Sequence, residues 1–137
     1  MKSLTKKETN AIKKIAVHHG ATVVYLFGSH ANGTATKESD VDIAILLPEK
    51  LSTSERFDIR CLLSEKISAL LDRPVDLVVL NDVSSILFRF TIIKEGKVLY
   101  QKTDLIHVEY ELKIMSEYYD FEPFLTSYNR AYVARAV

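Results

Sequence analysis

Val23-Val24-Tyr25-Leu26-Phe27-Gly28-Ser29 opens the stretch that decides the fold, and Asp40-Val41-Asp42-Ile43-Ala44-Ile45-Leu46-Leu47 closes it. Ten residues, His30 to Glu38 and Ser39, lie between the serine and the first aspartate. The first run has no polar alternation, so it reads as a strand buried on both faces. Gly28 breaks the run and lets backbone come close to a ligand. Ser29 then offers a hydroxyl and a backbone N–H, which suits phosphate oxygens at the carboxyl end of a strand. Asp40 and Asp42 are two apart, so an extended backbone projects both side chains from one face. Two carboxylates beside a buried strand repel and are costly to desolvate. A divalent cation relieves that cost, and oxygen-only ligands point to Mg²⁺ or Mn²⁺.

These residues resemble the signature of nucleotidyltransferases with the DNA polymerase β-type fold. The chain is similar to their minimal form, found as the antitoxin of HEPN-domain toxins. The resemblance spans about Ala21 to Tyr100. It rests on Gly28-Ser29, the ten-residue spacing and Asp40-x-Asp42 framed by two apolar runs, a far more specific pattern than a lone Asp-x-Asp. The family pattern adds a third carboxylate on a later strand. Pro74 to Leu80 supplies Asp76 for it, and Glu95 to Tyr100 resembles the family's closing segment. One position departs from the pattern. Many relatives carry an arginine three residues after the serine, where this chain has Asn32. An arginine there would grip phosphate in a bidentate manner, so its absence bears on triphosphate affinity and rate.

The resemblance implies an α/β (α+β) domain with a small mixed sheet and flanking helices. It implies catalytic and metal roles for Asp40, Asp42 and Asp76, and nucleotide binding by Gly28 and Ser29. It implies two Mg²⁺ ions, with Mn²⁺ as a substitute, and ATP as substrate. The expected activity is transfer of AMP to a tyrosine hydroxyl of a HEPN ribonuclease toxin, with release of pyrophosphate. A hetero-oligomer with that toxin is expected. Two readings compete: nucleotidyl transfer to an aminoglycoside-type small molecule, and a silent antitoxin that acts by binding alone.

The chain has 137 residues, enough for one domain with a modest core. Eighteen Lys and Arg balance eighteen Asp and Glu, so no global field draws in nucleic acid. Lys6, Lys7, Lys13 and Lys14 read as a solvated helix face. Cys61 is the single cysteine, which excludes an internal disulfide and fits a reducing cytoplasm. It lies in a helical pattern, where a small packed residue is expected. No apolar run reaches transmembrane length and no signal-peptide core opens the chain.

Thr5-Lys6-Lys7-Glu8 is a capping box, which starts a helix running to His19, with Gly20 to end it. His18 and His19, at that helix's carboxyl end, are expected to meet its dipole or solvent. Ser52-Thr53-Ser54-Glu55 is a second box, opening a helix to about Leu71 with Ile59, Leu63, Ile67 and Leu70 on one face. That helix joins the two Asp-bearing strands as a crossover. Ser84 or Ser85 caps a short helix, and Lys97 to Gln101 reads as a last strand. Thr103 or Asp104 caps a further helix whose face is Leu105, Val108, Leu112, Met115 and Tyr119. Pro123 suits a first turn, which predicts a separate terminal helix from about Glu122. The expected organisation is a nucleotidyltransferase core over 1–101 and a helical, partner-facing extension over 102–137. The aromatics from Tyr118 to Phe124 could pack on the chain's own sheet or meet a partner.

Overall fold

The computed structural model describes residues 4–28, 31, 33 and 40–136, without the side chains of 128, 129 and 132–136. Its elements are α1 (Lys6–His18), β1 (Val23–Phe27), β2 (Val41–Leu46), α2 (Thr53–Leu71) and β3 (Val75–Val79). A 3₁₀ turn (Leu80–Asp82), α3 (Ile86–Glu95), β4 (Lys97–Gln101) and α4 (Asp104–Ala136) follow.

Both capping boxes form. The Thr5 hydroxyl accepts from the Glu8 N–H at 3.1 Å, and the Glu8 carboxylate accepts from the Thr5 N–H at 2.9 Å. Ser52 and Glu55 repeat the exchange at 3.1 and 3.0 Å. Each box satisfies two helix N–H groups that have no partner within the helix. α2 ends on Asp72, which takes the left-handed conformation at φ 53°. Aspartate is among the few residues that tolerate it.

The strands form one mixed sheet in the order β3-β2-β1-β4. β1 pairs antiparallel with both β2 and β4, while β2 and β3 run parallel. A parallel pair needs a crossover, and α2 provides it. Beyond the end of β2, the Asn81 side chain donates to the Leu47 carbonyl at 2.8 Å and accepts from the Leu47 N–H at 2.9 Å.

Strand alternation divides the core into two clusters. Val24, Leu26, Val41, Ile43, Ile45, Leu77 and Val79 meet Ile12 and Ala16 of α1 and Leu63, Ile67 and Leu71 of α2. On the opposite face Val23, Tyr25 and Ala44 meet Leu80, Ile92 of α3, and Ile106 and Tyr110 of α4. At α2, Leu71 takes the buried place expected of Leu70, which is 49% exposed. Cys61, expected to be packed, is exposed.

α4 departs most from expectation. It is one helix of 33 residues with Pro123 inside it, and no separate terminal helix begins at Glu122. Proline removes one N–H and one backbone bond from the interior of a helix. Among the described residues, the contacts that hold α4 lie upstream of that proline. The Thr103 hydroxyl accepts from the Ile106 N–H at 3.1 Å, Ile114 is fully buried, and Arg89 pairs with Glu117 at 2.9 Å. Tyr118 stacks on Phe90 of α3 with ring centroids 3.7 Å apart. The face of Leu105, Val108, Leu112, Met115 and Tyr119 exists, but it points outward. Ile106, Tyr110 and Ile114 make the core contact instead.

Candidate active site

The carboxyl end of β1 and the amino ends of β2 and β3 meet at one edge of the sheet. Asp42 of β2 is the register partner of Phe27 in β1 and of Asp76 in β3. The Val41 N–H donates to the Pro74 carbonyl at 3.1 Å, which fixes the starts of the two parallel strands together. Paired residues on parallel neighbours point to the same face, about 4.8 Å apart. Asp42 and Asp76 are therefore side by side on the face toward α3 and α4. Asp40 stands two residues before Asp42, at the mouth of the strand. Asp40 and Asp76 are exposed and Asp42 is half-buried.

Gly28 is shaped to Asp42. It adopts φ +70°, and a Cβ built on it would collide with the Asp42 Oδ2 and lie 3.1 Å from its Cγ. The Asp42 carboxylate thus fills the space a side chain at position 28 would need. Gly28 serves twice, once for its left-handed backbone and once for that space. Its carbonyl accepts from the Ala31 N–H at 3.1 Å, which begins the turn. Ser29, His30 and Asn32 lie outside the described residues, so the expected phosphate contact of Ser29 belongs to the sequence reading.

An aromatic wall borders the carboxylates, and the sequence pattern did not reveal it. Phe27 meets Phe88 of α3 edge to face, with centroids 5.9 Å apart. Phe88 remains 37% exposed. Chain order could not pair these rings, because their contact depends on how α3 crosses the sheet.

The donor set is all carboxylate oxygen, which fits Mg²⁺ or Mn²⁺. Among the described residues no group of three or more His, Cys, Asp and Glu side chains stands close enough together to hold a metal ion. An open row of aspartates suits an ion that keeps waters and takes further oxygens from a bound phosphate. His19 lies elsewhere, with its Nε2 3.2 Å from the Lys66 Nζ. Burial, Lys66 and His18 lower its pKa from the usual histidine value. A cavity of about 820 Å³ opens at the opposite end of the sheet, lined in part by Lys50, Lys102 and Lys113. It contains none of the three aspartates. Among the described residues no helix is long and apolar enough to cross a membrane.

The strand order, the Gly28 turn and the aligned aspartates define a nucleotidyl-transfer scaffold. The sequence model described as polymerase beta, nucleotidyltransferase matches residues 10–105. The chain belongs to this family.

Among curated proteins, it is 37% identical over 78 residues to the protein adenylyltransferase MntA of Shewanella oneidensis. That match covers 57% of this chain and 52% of the relative, so the chain spans about half the length of the curated relative it matches. A solved toxin–antitoxin structure with AMP-PNP superposes with a TM-score of 0.73 at 28% identity, covering 93% of this chain and 97% of that one. A second structure holds a tri-AMPylated Shewanella oneidensis HEPN toxin in complex with an MNT antitoxin. It superposes at 0.70 with 25% identity, covering 97% and 98%.

Proposed function

We propose that this protein is an antitoxin that transfers AMP from ATP to a tyrosine hydroxyl of a partner HEPN ribonuclease toxin. The alignment of Asp42 with Asp76, with Asp40 two residues upstream, carries the reading. The relatives that resemble the chain across nearly its full length support the acceptor, because they are toxin–antitoxin assemblies. In this reading residues 1–101 form the transferase core and residues 102–137 face the partner. The protein acts in the cytoplasm as a hetero-oligomer with the toxin, with no direct contact to nucleic acid.

Asp40, Asp42 and Asp76 would hold two Mg²⁺ ions, which when bound neutralise triphosphate charge and lower the pKa of an attacking hydroxyl. Gly28 and Ser29 would present backbone and hydroxyl donors to the β- and γ-phosphates. The tyrosine oxygen forms a bond to the α-phosphorus. The bond from that phosphorus to the bridging oxygen breaks, and pyrophosphate leaves with the electron pair. Asp76, the most outlying strand carboxylate, would accept the tyrosine proton. Phe27, the register partner of Asp42, would place the Phe27–Phe88 pair at one side of the site.

The test uses ATP labelled at the α-phosphate, Mg²⁺ and the partner toxin. Label is expected on the toxin, with release of pyrophosphate, and chelation should stop both. Neutralisation at equal dose without ATP, with no label transferred, would overturn the proposal in favour of occlusion.

A further inference from the structure

Helix α4 carries two apolar faces. Among the described residues the inner one packs into the core, while the outer one meets α3 at its far end, where Tyr119 touches Phe90 edge to face with centroids 6.2 Å apart. Its core side is Ile106, Tyr110 and Ile114, reinforced by the Glu117 pair with Arg89 and the Tyr118 stack on Phe90. Its outer side is Leu105, Val108, Leu112, Met115 and Tyr119, exposed by 65, 49, 61, 37 and 56%. At 3.6 residues per turn the outer row lies nearly opposite the core row. From Leu105 to Met115 it stands apart from the core row.

The outer row advances by three, four, three and four residues. That alternation is the seam of a helix that packs against another helix, with each side chain entering a hole on its neighbour. The five side chains expose on the order of 500 Å², against about 800 Å² that each partner buries in a stable protein complex. A contiguous apolar patch of about this size is typical of the largest patch on a monomer, and that patch is often a functional surface.

The edges of the seam select the occupant. Asp104, Glu109, Asp120 and Glu122 flank it, all exposed, with Lys113 as a basic neighbour one turn from Glu109, so the edges are acidic in balance. Two copies of this chain joined along the seam would bring acid toward acid, which disfavours self-association. A helix with lysine or arginine along its own apolar seam would gain attraction at both edges. α4 also covers the same face of the sheet that carries Asp42 and Asp76.

We infer that the Leu105–Tyr119 seam is the docking surface for an amphipathic, basic-edged helix of the partner toxin. This rests on the proposed toxin partnership and adds the place and chemistry of contact. It puts the main contact upstream of Pro123.

The experiment compares the full-length protein with Leu105→Asp/Leu112→Asp and Glu109→Lys/Glu122→Lys. The substituted leucines are more than half exposed, so both variants should keep the wild-type melting temperature. Toxin affinity is measured by calorimetry at two salt concentrations, and ATP affinity in the absence of toxin. The leucine variant should bind toxin at least about a hundredfold more weakly with ATP affinity unchanged. The lysine variant should bind about tenfold more weakly and lose its salt dependence.

Unchanged toxin affinity in the leucine variant would overturn the inference, whatever the transfer assay shows. Sedimentation of the wild type as a dimer that the leucine variant dissociates, without effect on toxin binding, would assign the seam to a second copy and also overturn it. Wild-type protein that binds toxin through the seam but transfers no AMP would uphold the docking surface and refute the enzymatic reading alone.

Discussion

β2 gives Val41, Ile43 and Ile45 to one face of the sheet and Asp42, Ala44 and Leu46 to the other. The first three are fully buried against α1 and α2. Each such side chain contributes about 1.5–3 kcal/mol relative to leaving it in water. On the second face only Ala44 is fully buried, and the row ends in a half-buried carboxylate. One strand therefore separates its duties by side-chain parity. The α1/α2 face holds the fold, while the α3/α4 face gives up burial at one end to line up charges that repel. A substitution on one face should leave the other property alone.

The largest expected effect is on the charged face. Asp40→Asn/Asp42→Asn should lower AMP transfer about a thousandfold, equivalent to about 4 kcal/mol of transition-state stabilisation. Thermal melting should stay near the wild-type value, because asparagine keeps the shape of each side chain. A matching drop in melting temperature would show that the faces are not separable.

The reciprocal substitution is Ile43→Ala. Removing a fully buried branched side chain should cost about 2–5 kcal/mol in denaturant unfolding. Transfer per folded molecule should remain within a few-fold of wild type. A loss of transfer comparable to that of the aspartate variant, with stability intact, would reverse the assignment of the two faces.

Gly28→Ala should cross the division. The left-handed backbone costs about 1–2 kcal/mol for a residue with a side chain. The new methyl would also displace the Asp42 carboxylate. Transfer should thus fall further than the stability loss alone explains, and Asp42→Asn should remove part of that excess when combined with it. Strictly additive effects on transfer would mean that Gly28 acts only through the turn.

The smallest effect concerns Tyr25, under α4. Its hydroxyl donates to Glu111 at 2.8 Å, and Glu111 also pairs with His107. Burial first, then the Glu111 bond, push the phenol's pKa far above its usual value. The folded state therefore holds the proton more tightly than the unfolded chain, whose tyrosine ionises near pH 10. The stabilisation is complete below that pH and is lost as pH rises beyond it. Tyr110, pushed up to about 12 chiefly by burial, acts in the same direction. Tyr25→Phe should cost about 1 kcal/mol at neutral pH and shallow the loss of stability above pH 10. An unchanged alkaline slope would remove Tyr25 as its source.

Much of the carboxylate edge was legible in the chain because local signals agreed there. Unbroken apolar runs marked β1 and β2, two capping boxes marked α1 and α2, and a crossover forced β3 parallel to β2. Asp76 then had to fall near Asp42. The outward turn of α4 was not legible, because both of its rows are apolar and periodicity cannot say which one meets the core. Pro123 also misled, since a proline that fits a first turn can equally lie within a long helix. The Phe27–Phe88 contact depends on the path of α3 across the sheet, which no local pattern encodes. Cys61 is small enough for either side of α2, and the helical pattern alone did not place it.

The most direct test of enzymatic silencing is the intact mass of the toxin. The toxin is incubated with ATP, Mg²⁺ and a small fraction of an equivalent of this protein, then separated from it. The expected result is toxin heavier by one or more AMP units and still inactive as a ribonuclease, with the Asp40→Asn/Asp42→Asn variant leaving it unmodified and active. Toxin of unchanged mass that regains activity on separation, with protection only at equal dose, would contradict the account and leave a binding antitoxin in its place.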